Sequence, residues 1–150
     1  LRKEREWIPI LVADDSKDDR NLIERAFKTA GVSNPRHYVK DGEELLAHLG
    51  HALQNGGEGL PGMLVLDMQM PLLDGKEALR RIRADARMAL LPVILLTTSE
   101  YPQDILDGYR LGANSVITKP FSYDEFVELA SMLKRYWFDH VELPIQFKRE

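Results

Sequence analysis

The chain has no cysteine among its 150 residues. Disulfides, thiolate metal sites and thiol nucleophiles are therefore excluded, which suits a reducing compartment. No apolar run approaches the ~20 residues of a membrane-spanning helix. The opening stretch LRKEREWIPI lacks the apolar core of a secretion signal. A basic excess is missing too: 20 Lys and Arg stand against 24 Asp and Glu, a net charge of −4. Without a basic stripe, nucleic acid is not an expected partner. What is present is 44% apolar residue content, enough for a real core. The expectation is a soluble, cytoplasmic chain of about one domain in length.

Five apolar, β-rich runs stand out: IPILVA (8–13), RHYV (36–39), MLVLD (63–67), PVILLT (92–97) and SVIT (115–118). Three are continuously apolar, as strands are when helices cover both faces of a parallel sheet. Helical patterns lie between them. Over 17–30, Leu22, Ile23, Ala26, Phe27 and Ala30 share one face. Ser16, Asp41, Asp74 and Ser122 each precede an acid by three residues, the signature of a capped helix start. Gly31 and Gly112 sit where helices end on glycine, and Pro102 suits the first turn of a fourth helix. Strand and helix alternate five times, which predicts a (βα)₅ α/β domain with a doubly wound, five-stranded parallel sheet. The segment GHALQNGGEGLPG (50–62) ends in a glycine-rich stretch, read as a mobile loop before the third strand. The domain is expected over 8–136, with residues 1–7 as an extension and 137–150 as a tail.

Polar residues that interrupt the apolar runs cluster at their C-terminal ends. Asp14 and Asp15 close the first strand, Asp67 the third and Thr97 the fourth; Lys119 follows the fifth. In an open α/β sheet that edge is where ligands bind. Three carboxylates gathered within a few Å repel by ~4 kcal/mol per pair at an effective dielectric near 20. A hard divalent cation such as Mg²⁺ removes that cost through oxygen ligands. A carboxylate beside such a cation can also attack phosphorus and form an aspartyl phosphate. Lys119 offers a flexible point charge and Thr97 a hydroxyl for the phosphoryl oxygens. Asp14 or Asp15 can alternatively cap the first helix, although Ser16 is the better cap. Asp18 and Asp19 are expected on the exposed first turn, where negative charge suits the helix dipole. His48 and His51, three apart on a helix, are read as a solvated face.

The segments VADD, LVLDMQMPLLDG, PVILLTTS and VITKPF, in this order, resemble the receiver domain of two-component response regulators. The resemblance spans roughly residues 8–136 and implies the flavodoxin-like strand order 2-1-3-4-5. It implies that Asp67 is the phosphoacceptor, that Asp14, Asp15, Asp67 and the backbone carbonyl of Gln69 hold Mg²⁺, and that Thr97 and Lys119 contact the phosphate. It also implies a cis Lys119–Pro120 bond. A sensor histidine kinase would be the phosphodonor. The long loop before the third strand and the ending YWFDHVELP look like single-domain regulators of phytochrome-type kinases. Such a protein catalyses only its own phosphorylation and dephosphorylation. It signals by contact with a downstream protein or with a second copy. Tyr136, Trp137 and Phe138 are candidates for that homodimer contact or for the core.

The chain departs from the family pattern at Val116, where an aromatic usually stands three residues before the lysine. Tyr101 or another group is expected to respond in its place. Thr98 adds a hydroxyl beside Thr97. Gln69 and Ser99 occupy positions expected to set the lifetime of the phosphoryl group more than its formation. One rival is a phosphate-independent pseudo-receiver scaffold. The other is a haloacid-dehalogenase-type phosphohydrolase, which needs a second acid where Gln69 stands.

Overall fold

A computed structural model of the chain describes residues 5–144. Five strands, β1 (Ile10–Ala13), β2 (Arg36–Val39), β3 (Met63–Asp67), β4 (Val93–Thr97) and β5 (Ser115–Thr118), form one sheet in the order β2-β1-β3-β4-β5. All neighbouring pairs are parallel. The helices are α1 (Lys17–Thr29), α2 (Gly42–Gln54), α3 (Gly75–Ala84), α4 (Pro102–Arg110) and α5 (Tyr123–Leu133). This is the flavodoxin-like order that the resemblance implies.

Side chains along a strand alternate between faces, and both faces here are apolar. Leu11, Ala13, Leu64, Leu66 and Leu95 pack with Leu45 and Leu49 of α2 and Leu79 and Ile82 of α3. Ile10, Val12, Val65, Ile94 and Leu96 pack with Ile23 and Phe27 of α1 and Phe126 and Leu133 of α5. Each of the larger of these side chains contributes roughly 1.5–3 kcal/mol on burial, so the three inner strands form the rigid centre of the molecule.

The caps operate as the spacing predicts. Ser16, Asp41, Asp74 and Ser122 accept hydrogen bonds from the backbone N–H of Asp19, Glu44, Glu77 and Glu125. Gly31 and Gly112 follow their helices at φ of 77° and 106°, a conformation that glycine adopts without steric cost. Within the glycine-rich stretch, α2 runs on to Gln54 before the turns begin.

The C-terminal side departs from expectation. The helical path does not end at Tyr136 but continues through a π-helical stretch, Lys134–His140. Phe138 is buried there, Trp137 packs partly on the same cluster, and Tyr136 stays exposed. Arg5, inside the expected N-terminal extension, donates to the Phe138 carbonyl at 3.2 Å and also to that of Val141. Trp7, Trp137 and Leu143 pack, with buried Phe138, on the cluster between the sheet, α1 and α5. Residues 1–4 and 145–150 of the expected extension and tail lie outside the described residues.

Candidate functional site

β1, β3 and β4 end at the same edge of the sheet, and the turns after them present the site. Asp14, Asp67, Thr97 and Lys119 are the charged or hydroxyl-bearing side chains buried there. Carboxylate oxygens of Asp14, Asp15 and Asp67 lie within 4.8 Å of one another. Asp15 is exposed, whereas Asp14 and Asp67 are 1% and 3% exposed. Asp14 does not cap α1, since Ser16 does. Its Oδ1 accepts from Ser16 N–H at 2.9 Å.

Lys119 brings the edge together. Its Nζ donates to Asp67 Oδ2 at 3.1 Å. It lies 2.8 Å from Asp14 Oδ2 and 2.9 Å from Asp19 Oδ2. Burial alone would lower the pKa of this ammonium. The close carboxylates of Asp14 and Asp19, with the charge of Asp67, outweigh burial and raise it. Asp67 moves the other way from a free carboxylate: burial first, then the charge of Asp14, pushes it up to about 6. Burial raises Asp14 as well. One ammonium therefore does not satisfy the acids around it.

Gln69 bridges the loops after β3 and β4. Its backbone N–H donates to Asp67 Oδ1 at 3.1 Å, and its side-chain Nε2 donates to Thr97 Oγ1 at 2.9 Å. The Ser99 N–H also donates to that hydroxyl, at 2.9 Å. The Ser99 hydroxyl turns away from Asp67 and donates to Asp104 of α4. Asp104 in turn pairs with Lys76 of α3 at 2.6 Å. Thr98 reaches Gln69 Oε1 through its N–H at 3.3 Å.

Two expectations change. The Lys119–Pro120 bond is not cis, because peptide bonds among the described residues are all trans. Lys119 N–H donates to the Thr97 carbonyl at 2.8 Å, and the ammonium reaches the acids from that ordinary backbone. Asp19 stands on the first turn of α1 as expected but is only partly exposed there, because it also pairs with Lys119. The signal that pointed to it was its place on the first turn of α1, directly beyond the acid pair of β1. Among the described residues the histidines join no metal-spaced cluster: His48 stacks on His37 with ring centroids 4.3 Å apart. Tyr101 is exposed. The ring that reaches residue 116 is that of Tyr109, whose hydroxyl accepts from the Val116 N–H at 3.2 Å.

The residues fit a hard divalent cation. Asp14 Oδ2 is buried and receives no directed hydrogen bond; Lys119 offers it charge at short range but not a well-aligned donor. An all-oxygen donor set of that charge is what Mg²⁺ prefers.

The sequence profile of the response regulator receiver domain matches residues 10–131. The chain belongs to the response regulator receiver family. This receiver is 34% identical to the probable methanogenesis regulatory protein FilR2 of Methanothrix harundinacea, over 85% of this chain and 82% of that one. It is similar to response regulator Rcp1 of Synechocystis, with 28% identity over 90% of this chain and 92% of that one. The Mn²⁺-bound Rcp1 crystal structure superposes with a TM-score of 0.81 over 92% of this chain and 99% of that one. The phosphorylated cyanobacterial phytochrome response regulator RcpA superposes with a TM-score of 0.84, at 29% identity over 93% and 99%. Family membership removes the haloacid-dehalogenase rival. Among the described residues of this receiver, no helix is long and apolar enough to cross a membrane.

Proposed function

We propose that this receiver takes a phosphoryl group onto Asp67 from a sensor histidine kinase, in a Mg²⁺-dependent reaction, and passes the signal on by protein contact. One observation carries the reading: Asp14, Asp15, Asp67 and Lys119 converge from separate elements on one point of the sheet edge. An Asp67 oxygen attacks phosphorus, and the donor's P–N bond, or the P–O bond of acetyl phosphate, breaks as the new P–O bond forms. The leaving imidazole or acetate keeps the electron pair of that bond. Lys119, already 3.1 Å from Asp67, neutralises charge on the incoming oxygens. Thr97 frees its hydroxyl from Gln69 to donate to one of them. Asp14, Asp15, Asp67 and the Gln69 carbonyl would hold Mg²⁺, which when bound screens the acids and the phosphoryl group.

The similarity to Rcp1 and RcpA supports a phytochrome-type kinase as the partner. The burial of Phe138 on the core beside an exposed Tyr136 supports output by protein contact at this end of α5.

Incubation with acetyl phosphate and Mg²⁺, read by intact mass, tests the assignment. The wild type gains one phosphoryl group, whereas Asp67→Asn and a chelator-treated sample gain none. Labelling of Asp67→Asn, or an unlabelled wild type, overturns it. The second result would favour the phosphate-independent scaffold.

A further inference from the structure

The carboxylate of Asp19 belongs to the site by contact, but it stands apart from the acids gathered for a cation. Asp14 and Asp67 reach Lys119 from the ends of β1 and β3, whereas Asp19 reaches it from the first turn of α1. Its place there is set by the helix cap, because its backbone N–H donates to Ser16 Oγ. The side chain is 29% exposed and that of Lys119 9%, so Asp19 lies on the solvent side of the ammonium. Asp19 Oδ2 and Asp67 Oδ2 touch the same nitrogen, at 2.9 and 3.1 Å. A phosphoryl group arriving at Asp67 therefore meets an ammonium already engaged by a fixed negative charge. That charge repels a doubly negative donor more strongly than a singly negative one.

We propose that Asp19 is a positioning residue for Lys119 and an electrostatic gate on the acceptor: it holds the ammonium toward α1 and slows attack on dianionic phosphodonors. The proposal rests on Asp67 being the acceptor. Loss of the Asp19 charge frees Lys119 for the phosphoryl oxygens and removes a like charge from their path. The cap to Ser16 uses only backbone N–H, so Asp19→Asn keeps the helix start.

The test compares phosphorylation rates of wild type, Asp19→Asn and Asp19→Glu with two donors, acetyl phosphate as a dianion and phosphoramidate as a single anion, each with Mg²⁺. In the second reaction the P–N bond breaks and the nitrogen leaves, protonated, as ammonia. Asp19→Asn is expected to react several-fold faster with acetyl phosphate and to gain less with phosphoramidate. The difference should shrink in high salt, and Asp19→Glu should restore the wild-type ratio. Equal changes for both donors, or a uniform slowing, overturn the gate while leaving Asp67 as acceptor. A wild type without label, or a label that persists in Asp67→Asn, overturns the acceptor assignment and the gate with it. Thermal melting of each variant identifies any that is unfolded. Should Asp19→Asn unfold, Asp19→Ser, which also removes the charge, takes its place: a gain with acetyl phosphate larger than with phosphoramidate supports the gate, and equal changes overturn it.

Discussion

At the residue scale, Gln69 and Ser99 were expected to act alike, and their contacts separate them. The Gln69 amide spans Thr97 and Thr98 beside Asp67. In the proposed phosphorylated state Thr97 turns to a phosphoryl oxygen, which would release that amide to hold a water for attack. The Ser99 hydroxyl is committed to Asp104. Gln69→Ala is therefore expected to lengthen the phosphoryl half-life about fivefold, the effect of one hydrogen bond of about 1 kcal/mol. Ser99→Ala should change it less. Decay of the phosphorylated mass after donor removal measures both. The strand-end acids were legible in the sequence because each breaks an apolar run. Asp19 was not, because an acid on a first turn already has an ordinary role at the helix dipole.

At the element scale, the approach of α3 to the end of β3 decides where Asp67 points. A Cβ at Gly75 would lie 2.3 Å from the Asp67 carbonyl oxygen and 2.8 Å from Met68 Cα. Both are backbone atoms at the end of β3 and cannot swing aside. Gly75→Ala is expected to cost about 1–3 kcal/mol and to slow phosphorylation of Asp67. Gly50→Ala in α2 meets nothing within 4 Å and should stabilise by up to about 1 kcal/mol through helix propensity. Urea midpoints of the two variants, moving in opposite directions, check the pair. Helix starts were readable from local capping chemistry. The continuation past Tyr136 was not: three consecutive aromatics carry no helical period, and the burial of Phe138 depends on a cluster built from distant strands and helices.

At the scale of the whole molecule, the edge strand β2 is tied to α1 by a partly buried charge network. Glu24 accepts from Arg36 Nε at 2.6 Å and from Tyr38 at 2.7 Å. The Arg36 hydrogen bond holds Glu24 down at about 2, against an ordinary 4.5. A folded-state value below the unfolded one means stability that is fully present above pH 4.5 and lost as pH falls toward 2. With Glu24 29% exposed, solvent screening limits the contribution to about 1 kcal/mol. Glu24→Gln should be less stable than wild type by about that amount at neutral pH, and the two should converge near pH 2. Chemical denaturation across that range measures it.

Sequence alone determined the alternation of strands and helices, their caps, and the polar residues that end the strands. All of these are written in local periodicity and in the steric and hydrogen-bonding habits of single residues. The family's strand order followed from motifs that this order brings to one edge, where the proposed acceptor Asp67 stands. Only the tertiary structure decided that Asp19 shares Lys119, that the Gln69 side chain holds Thr97, and that Arg5 ties the chain's beginning to the stretch beyond α5. Each of these joins residues from different elements, and their separation depends on how helices settle against the sheet.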